Sequence, residues 1–364
     1  MKAWVLHGIN DLKFETVSNP TLSNNEVLVA VKAAGICGSD IPRIFETGAH
    51  NMPLIPGHEF SGVVEEIGQN VGGEWLHRPV GVFPLIPCGK CLPCQHGQYE
   101  MCRSYDYLGS RSNGGFAEYV SVPVKNLIAL PEGVSFEEAA MLEPMAVAVH
   151  AMRKGTADFA LEKEAVVAVC GLGTIGLLLT MFLLDAGYRN IYVIGNKDFQ
   201  REKAISLGIP LDCYCDSREK DASDWLQECA GGADLFFECV GRHETLSCGV
   251  NSAAPSASVV LVGNPHSDMA LPRDVYWKIL RNQLNVFGTW NSSFTGEDTD
   301  DWHYVMRKLK THSVSPTELI SHRLTPEKLM MGLSVMRDKK EDYCKIEVVS
   351  GKEEEIGNEE GSVL

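Results

Sequence analysis

The amino-acid sequence predicts an α/β chain of two domains, a β domain of short antiparallel strands followed by a doubly wound parallel sheet. Three observations predict it. Short alternating runs broken by dense turn residues fill the first 150 residues. From about residue 153, apolar strands alternate with helical segments, which implies right-handed βαβ units. Between one such strand and one such helix lies a glycine-rich turn, Gly171-Leu-Gly-Thr-Ile-Gly176.

Taken in order, residues 26–31 alternate, 62–67 follow a glycine and 116–122 follow Gly114-Gly115, each reading as a strand. The strands expected in the parallel sheet are 165–169, 190–194, 235–239, 258–262 and 285–288, with a helix at 177–186 after the glycine turn. Helices around 302–310 and 326–337 and a last strand at 345–349 complete the chain. Residues 165–184 are 20 positions without a charge, the length of a membrane span. Gly171, Gly173 and Gly176 interrupt them, and the β-branched Val166, Val167 and Val169 favour a buried strand, turn and helix instead.

A length of 364 residues supports an independent core in each of two domains, and 45% hydrophobic with 22% charged residues is an ordinary globular balance. The net charge of −16 argues against nucleic acid and against an anionic membrane, because both are bound through basic residues. Residues 351–364 carry one Lys and five Glu and read as a solvated acidic tail. The opening Met-Lys-Ala-Trp-Val-Leu-His-Gly lacks an apolar targeting region, so a cytoplasmic protein is expected. Twelve cysteines in a reducing compartment read as metal ligands and ordinary thiols rather than disulfides.

Three groups of residues carry chemistry. Cys88, Cys91, Cys94 and Cys102 lie within 15 residues, and four thiolates gathered by tight turns make a closed, structural zinc site. An iron–sulfur cluster is the alternative that thiolates also hold. Cys37, His58, Glu59 and Glu143 supply the thiolate, imidazole and carboxylate that a catalytic zinc uses when one position stays open. In the glycine turn, Gly171 permits the bend, Gly173 lets the backbone approach a pyrophosphate and Gly176 lets the helix pack closely; Thr174 and Ile175 complete the loop. The helix N-terminus then offers free N–H groups to phosphate.

After the second strand of this unit, the acidic residue that accepts ribose hydroxyls is missing, since Ile194 is followed by Gly195, Asn196 and Lys197. The absence, with Lys197 and Arg201 nearby, favours NADP(H), while Asp198 leaves NAD(H) as the alternative.

The run Gly57-His-Glu-Phe-Ser-Gly-Val-Val-Glu-Glu-Ile-Gly68, the four-cysteine stretch and the glycine turn, in this order, resemble the zinc-dependent medium-chain alcohol dehydrogenases. Within that family the resemblance is to the polyol dehydrogenases, carried also by residues 37–45, Gly48-Ala-His50, 109–119 and Lys278-Ile-Leu-Arg281. It implies a GroES-like catalytic domain, 1–152 and 291–350, with a zinc lobe near 84–105, split around a Rossmann domain, 153–290. It implies two Zn²⁺ per chain, the catalytic one at Cys37, His58 and either Glu59 or Glu143. Many members carry a proton-relay histidine where this chain has Pro42, so a relay is expected to start at Ser39.

The implied reaction is hydride transfer between a secondary alcohol of a polyol phosphate and the nicotinamide, zinc acting as Lewis acid. Arg43, His50 and Arg111 are the candidates for the phosphate, against a reading as ordinary surface residues. Trp290 falls where the family lines its substrate pocket, and reads equally as core. A dehydrogenase of a free polyol or sugar alcohol is the alternative. A zinc-binding scaffold on a degenerate frame would have lost ligands or glycines, and all are present. The family also implies a homodimer or homotetramer paired through strands like residues 285–288, which hides a sheet edge.

Overall fold

The computed structural model describes residues 1–156, 161–265 and 267–351. The expected acidic tail lies, from residue 352 on, outside the described residues. The chain forms two compact units, one of Met1–Ile86, Asp106–Met141 and the residues from Ile320 on, the other of Pro87–Tyr105 and Leu142–Leu319.

The first unit is built on a seven-stranded sheet. Its order is Ile320–Leu324, Lys345–Val349, Glu26–Ile36, Glu59–Ile67, Pro79–Val82 and Leu127–Ala129, with Tyr119–Pro123 also on Glu26–Ile36. All pairs are antiparallel except Ile320–Leu324 with Lys345–Val349. Val27, Val29, Val31, Val64, Val80 and Leu333 build its core, as the β-branched alternation requires. An N-terminal hairpin, Lys2–Gly8 with Asp11–Thr16, was not expected from the sequence.

In the second unit the six strands are all parallel, ordered Tyr214–Asp216, Asn190–Gly195, Val166–Cys170, Ala233–Glu238, Ala253–Leu261 and Asn285–Gly288. In chain order this is 3-2-1-4-5-6, the doubly wound dinucleotide-binding order. The strand order reverses beside Val166–Cys170, so the glycine turn at its end sits at the switch point, where such sheets bind ligands. Helix Thr174–Asp185 follows directly and buries Leu177 through Leu183. No described helix is long and apolar enough to cross a membrane.

The units divide the chain differently from the expected domains. Helix Leu142–Thr156 packs on helices Thr174–Asp185 and Asp301–Lys310, so residues 142–152 and 291–319 group with the parallel sheet. The four-cysteine stretch groups with them too; Gly97 lies beside Thr295.

A buried carboxylate makes the helix contact specific. Asp301, 2% exposed, accepts from His150 Nδ1 at 2.8 Å, Arg153 Nη1 at 2.7 Å and the backbone N–H of Ser293 at 2.8 Å. Asp301→Ala strands these donors, and a loss of about 3 kcal/mol is expected in urea unfolding. A loss below about 1 kcal/mol would show the contact to be apolar packing alone.

Candidate active site

Cys37 ends the long strand Glu26–Ile36 at its last turn into helix Asp40–Phe45. Asp40 shapes that turn: its carboxylate accepts the Cys37 N–H at 3.0 Å and Arg43 Nη1 at 2.5 Å while fully buried. The turn brings Ser39 Oγ to 3.3 Å from Cys37 Sγ.

His58 is placed by glycine packing. Gly57 is left-handed at φ +95°, and its missing side chain leaves room for the Phe116 ring. Gly115 N–H donates to the Gly57 carbonyl at 2.8 Å and Phe116 N–H to Pro56 at 3.0 Å, while a β-carbon on Gly109 or Gly114 would overlap Gly57. The glycines of the 109–119 stretch are thus the wall against which Gly57 and His58 are set.

One candidate ligand atom from each of Cys37, His58 and Glu59 falls within a group spanning 4.8 Å. His58 Nδ1 is buried without a hydrogen-bond partner among the described residues, and its 3.6 Å approach to Asp40 Oδ1 is electrostatic rather than a hydrogen bond. Burial opposes the imidazolium, yet Cys37 and Asp40 outweigh it and hold the His58 pKa well above the ordinary value. A compact, anionic set of thiolate, imidazole and carboxylate with an orphaned buried nitrogen fits a zinc ion. Glu143, the other candidate, is buried in the first turn of helix Leu142–Thr156 in the second unit.

The four cysteines converge in the second unit, with sulfur separations of 3.4 Å for Cys91–Cys94, 3.9 Å for Cys91–Cys102 and 4.0 Å for Cys88–Cys94. A tetrahedron with Zn–S bonds of about 2.3 Å has edges of about 3.8 Å, so the cluster is zinc-sized. Backbone N–H groups of Arg103 and Cys94 pull Cys91 down to about 6, whereas burial pushes Cys94 up to about 12.

At the nucleotide turn Gly171 has φ +95° and its bare α-carbon abuts Val240; a β-carbon on Gly176 would overlap the Gly171 carbonyl. Gly173 is exposed, with open space where its side chain would be, next to Thr174 and Ile175 at the helix start. Gly195 is buried: a β-carbon there would lie 2.7 Å from Tyr214 Oη and 2.9 Å from Gln200 Oε1. Asn196 is exposed and Lys197 half-buried. Arg218, which the sequence did not single out, bonds Asp216 through Nε at 2.9 Å and Asp198 through Nη2 at 2.7 Å.

Arg43 is committed to Asp40, His50 is exposed, Arg111 is half-buried and Trp290 is 56% exposed in the second unit rather than core. A residue that the sequence did not single out bonds a member of the metal group. Lys345 Nζ bonds Glu59 Oε2 and donates to the Ile36 carbonyl at 3.2 Å. Lys345 and Glu347 alternate with Ile346 and Val348 in a strand that the structure buries throughout.

The chain matches the description "Alcohol dehydrogenase GroES-like domain" over residues 23–132 and "Zinc-binding dehydrogenase" over 174–311. It is 35% identical to galactitol 1-phosphate 5-dehydrogenase of Escherichia coli (strain K12) over 313 residues, 85% of this chain and 88% of that one. To sorbitol dehydrogenase of Bacillus subtilis (strain 168) it is 29% identical over 295 residues, covering 79% and 81%. The crystal structure of galactitol-1-phosphate dehydrogenase from Escherichia coli superposes with TM-score 0.86 at 32% identity, covering 96% of this chain and all of that one. A zinc-binding dehydrogenase from Sinorhizobium meliloti 1021 bound to NADP gives TM-score 0.85 at 26% identity, covering 96% and 98%. A short chain alcohol dehydrogenase from E. coli CFT073 complexed with NADH gives 0.86 at 28%, covering 96% and 99%.

Near Lys345 in the same strand, Glu347 is fully buried and neither carboxylate oxygen has a hydrogen-bond partner among the described residues. Burial pushes its pKa up to about 8; Lys345 and Arg323 oppose this, and Glu137 and Glu59 add to it. The folded chain therefore keeps this proton after the unfolded chain, with a glutamate value of 4.5, has lost it. The contribution of Glu347 to stability is full below about 4.5 and falls as pH rises toward about 8. The slope is at most about 1.4 kcal/mol per pH unit. Glu347→Gln is expected to flatten that decline in urea unfolding across the window; an unaltered slope would mean that Glu347 is ionised in the folded protein.

Proposed function

From the premise that this chain belongs to the zinc-binding dehydrogenases with a GroES-like alcohol dehydrogenase domain, and is an oxidoreductase, we propose that it oxidises a secondary alcohol of a polyol phosphate, of the galactitol 1-phosphate type, to the ketone and catalyses the reverse. The observation that carries the reaction type is the meeting of Cys37, His58 and Glu59 within 4.8 Å on one unit. Zinc held there would supply Lewis-acid polarisation of a substrate oxygen. A nicotinamide cofactor on the glycine turn would accept the hydride. Asp40 fixes Cys37 through its backbone N–H, and Ser39 Oγ is the hydroxyl placed to receive and pass on the alcohol proton.

NADP(H) is favoured because Gly195 leaves no carboxylate to repel a 2′-phosphate and its neighbours leave no room for one, with Lys197, Arg201 and Arg218 close by. NAD(H) is the second reading, since Asp198 and Asp216 already engage Arg218. A second zinc at Cys88, Cys91, Cys94 and Cys102 is structural. A second copy of the chain pairs through strand Asn285–Gly288, an edge of the parallel sheet whose Val286 is 37% exposed; Tyr276, Trp277 and Leu280 of the preceding helix are exposed as well.

For the phosphate, His50 and Arg111 join Arg43, which already serves Asp40. A free polyol such as sorbitol is the alternative substrate.

The deciding experiment sets NAD⁺ and NADP⁺ against free and phosphorylated polyols. The highest kcat/KM is expected for NADP⁺ with the phosphorylated polyol; no phosphate preference would move the assignment to the free polyol. Arg43→Ala is expected to lower kcat/KM on the phosphorylated substrate by about tenfold beyond its effect on the free one. An equal loss on both would leave Arg43 as the anchor of Asp40 alone. Metal analysis should give two zinc ions per chain and one in Cys91→Ser, with a lower Tm for that variant; an unchanged count would remove the four-thiolate site.

A further inference from the structure

We propose that Lys345 is a positioning residue that draws charge away from Glu59 and thereby sets how firmly the Cys37, His58 and Glu59 group holds its metal ion. This rests on the reading that those three residues are metal ligands.

Lys345 is 2% exposed in a strand buried at every position. A lysine there is costly, since its ammonium leaves water, and packing alone would be met by a residue such as Ile346 or Val348. The ammonium has two partners in the structure, Glu59 Oε2 and the Ile36 carbonyl. The backbone is cleared for this meeting. Gly35 pairs with Glu59 on one side and Glu347 on the other, and a β-carbon on it would lie 2.7 Å from Lys345 Cε and 2.9 Å from Nζ, and would overlap Glu59 Oε2. Of the two carboxylates near Lys345, Glu59 is the one whose oxygen it bonds; the Glu347 carboxylate, two residues along the same face, makes no hydrogen bond among the described residues.

A carboxylate that already accepts a charge-assisted hydrogen bond is a poorer electron donor to a metal. The ammonium also offsets one of the two negative charges, thiolate and carboxylate, that the group presents. Both effects make a metal at this group more electrophilic and more easily released than the same three ligands would alone. A residue that merely fills the strand would leave metal binding unchanged when replaced.

Co²⁺ is the probe, loaded into the full chain, and the signal of this group is the part of the visible spectrum lost in Cys37→Ser. If there is no such part, the ligand reading falls and this inference with it. With the signal present, Lys345→Met is expected to shift its d–d band and slow Co²⁺ release to a chelator by about tenfold or more, while Lys345→Arg stays within about twofold. Release from a folded Lys345→Met at the wild-type rate or faster overturns the inference and leaves the ligand reading standing. Should circular dichroism show Lys345→Met unfolded, Glu59→Gln decides: release altered by less than about fivefold supports a carboxylate already drawn off by Lys345, and a larger change overturns it.

Discussion

Charge taken out of water, and answered there, is the constraint on which the first unit depends. Asp40 and Glu347 are fully buried, and Glu59 and Lys345 are each 2% exposed. A buried charge without a partner costs several kcal/mol, so these residues place one another. Asp40 is answered by Arg43 and by the Cys37 N–H, which fixes the turn that presents Cys37 and Ser39. Glu59 is answered by Lys345, which ties strand Glu59–Ile67 to Lys345–Val349 across the strand between them. Glu347 has no such answer and keeps a proton instead.

Missing β-carbons give these contacts their space. Gly35 lets the Glu59 and Lys345 side chains meet across a strand, and Gly57 lets Phe116 in behind His58. Gly176 presses on the Gly171 carbonyl, bringing helix Thr174–Asp185 onto the end of strand Val166–Cys170 so that its N-terminus opens on the switch point. The metal group and the nucleotide turn are different chemistries made by one device, a glycine where two chain segments must come closer than side chains allow.

What was legible in the sequence was local. The strands of the parallel sheet came out within a few residues of their observed bounds, except that Ala253–Leu261 starts five residues before the expected 258–262. Apolar β-branched runs between helices carry that signal. Tyr214–Asp216 was missed because three residues show no period, and the hairpin Lys2–Gly8 with Asp11–Thr16 because its alternation is weak. The grouping of Cys37 with His58 and Glu59 followed from residue types, but their anchors did not. Nothing in the residue type of Asp40, three residues from Cys37, marks it as an anchor, and Lys345 meets Glu59 only through a pairing 286 residues apart. The unit to which helix Leu142–Thr156 belongs was likewise hidden, because Asp301, which fastens it, lies 151 residues from His150.

Net charge separates from function on the same grounds of distance. The chain carries −16, yet beyond a Debye length of about 8 Å exposed charges are largely screened, so an anionic ligand meets only its neighbours. Around Gly195 those neighbours include Lys197, together with Arg201 and Arg218, which pair with Asp198 and Asp216. Arg218 holds Asp216 down to about 2, so this carboxylate stays charged across the neutral range and its pairing with Arg218 persists. The sign of the whole chain therefore says little about an anionic ligand at this turn, whose surroundings are set by a few residues paired with one another.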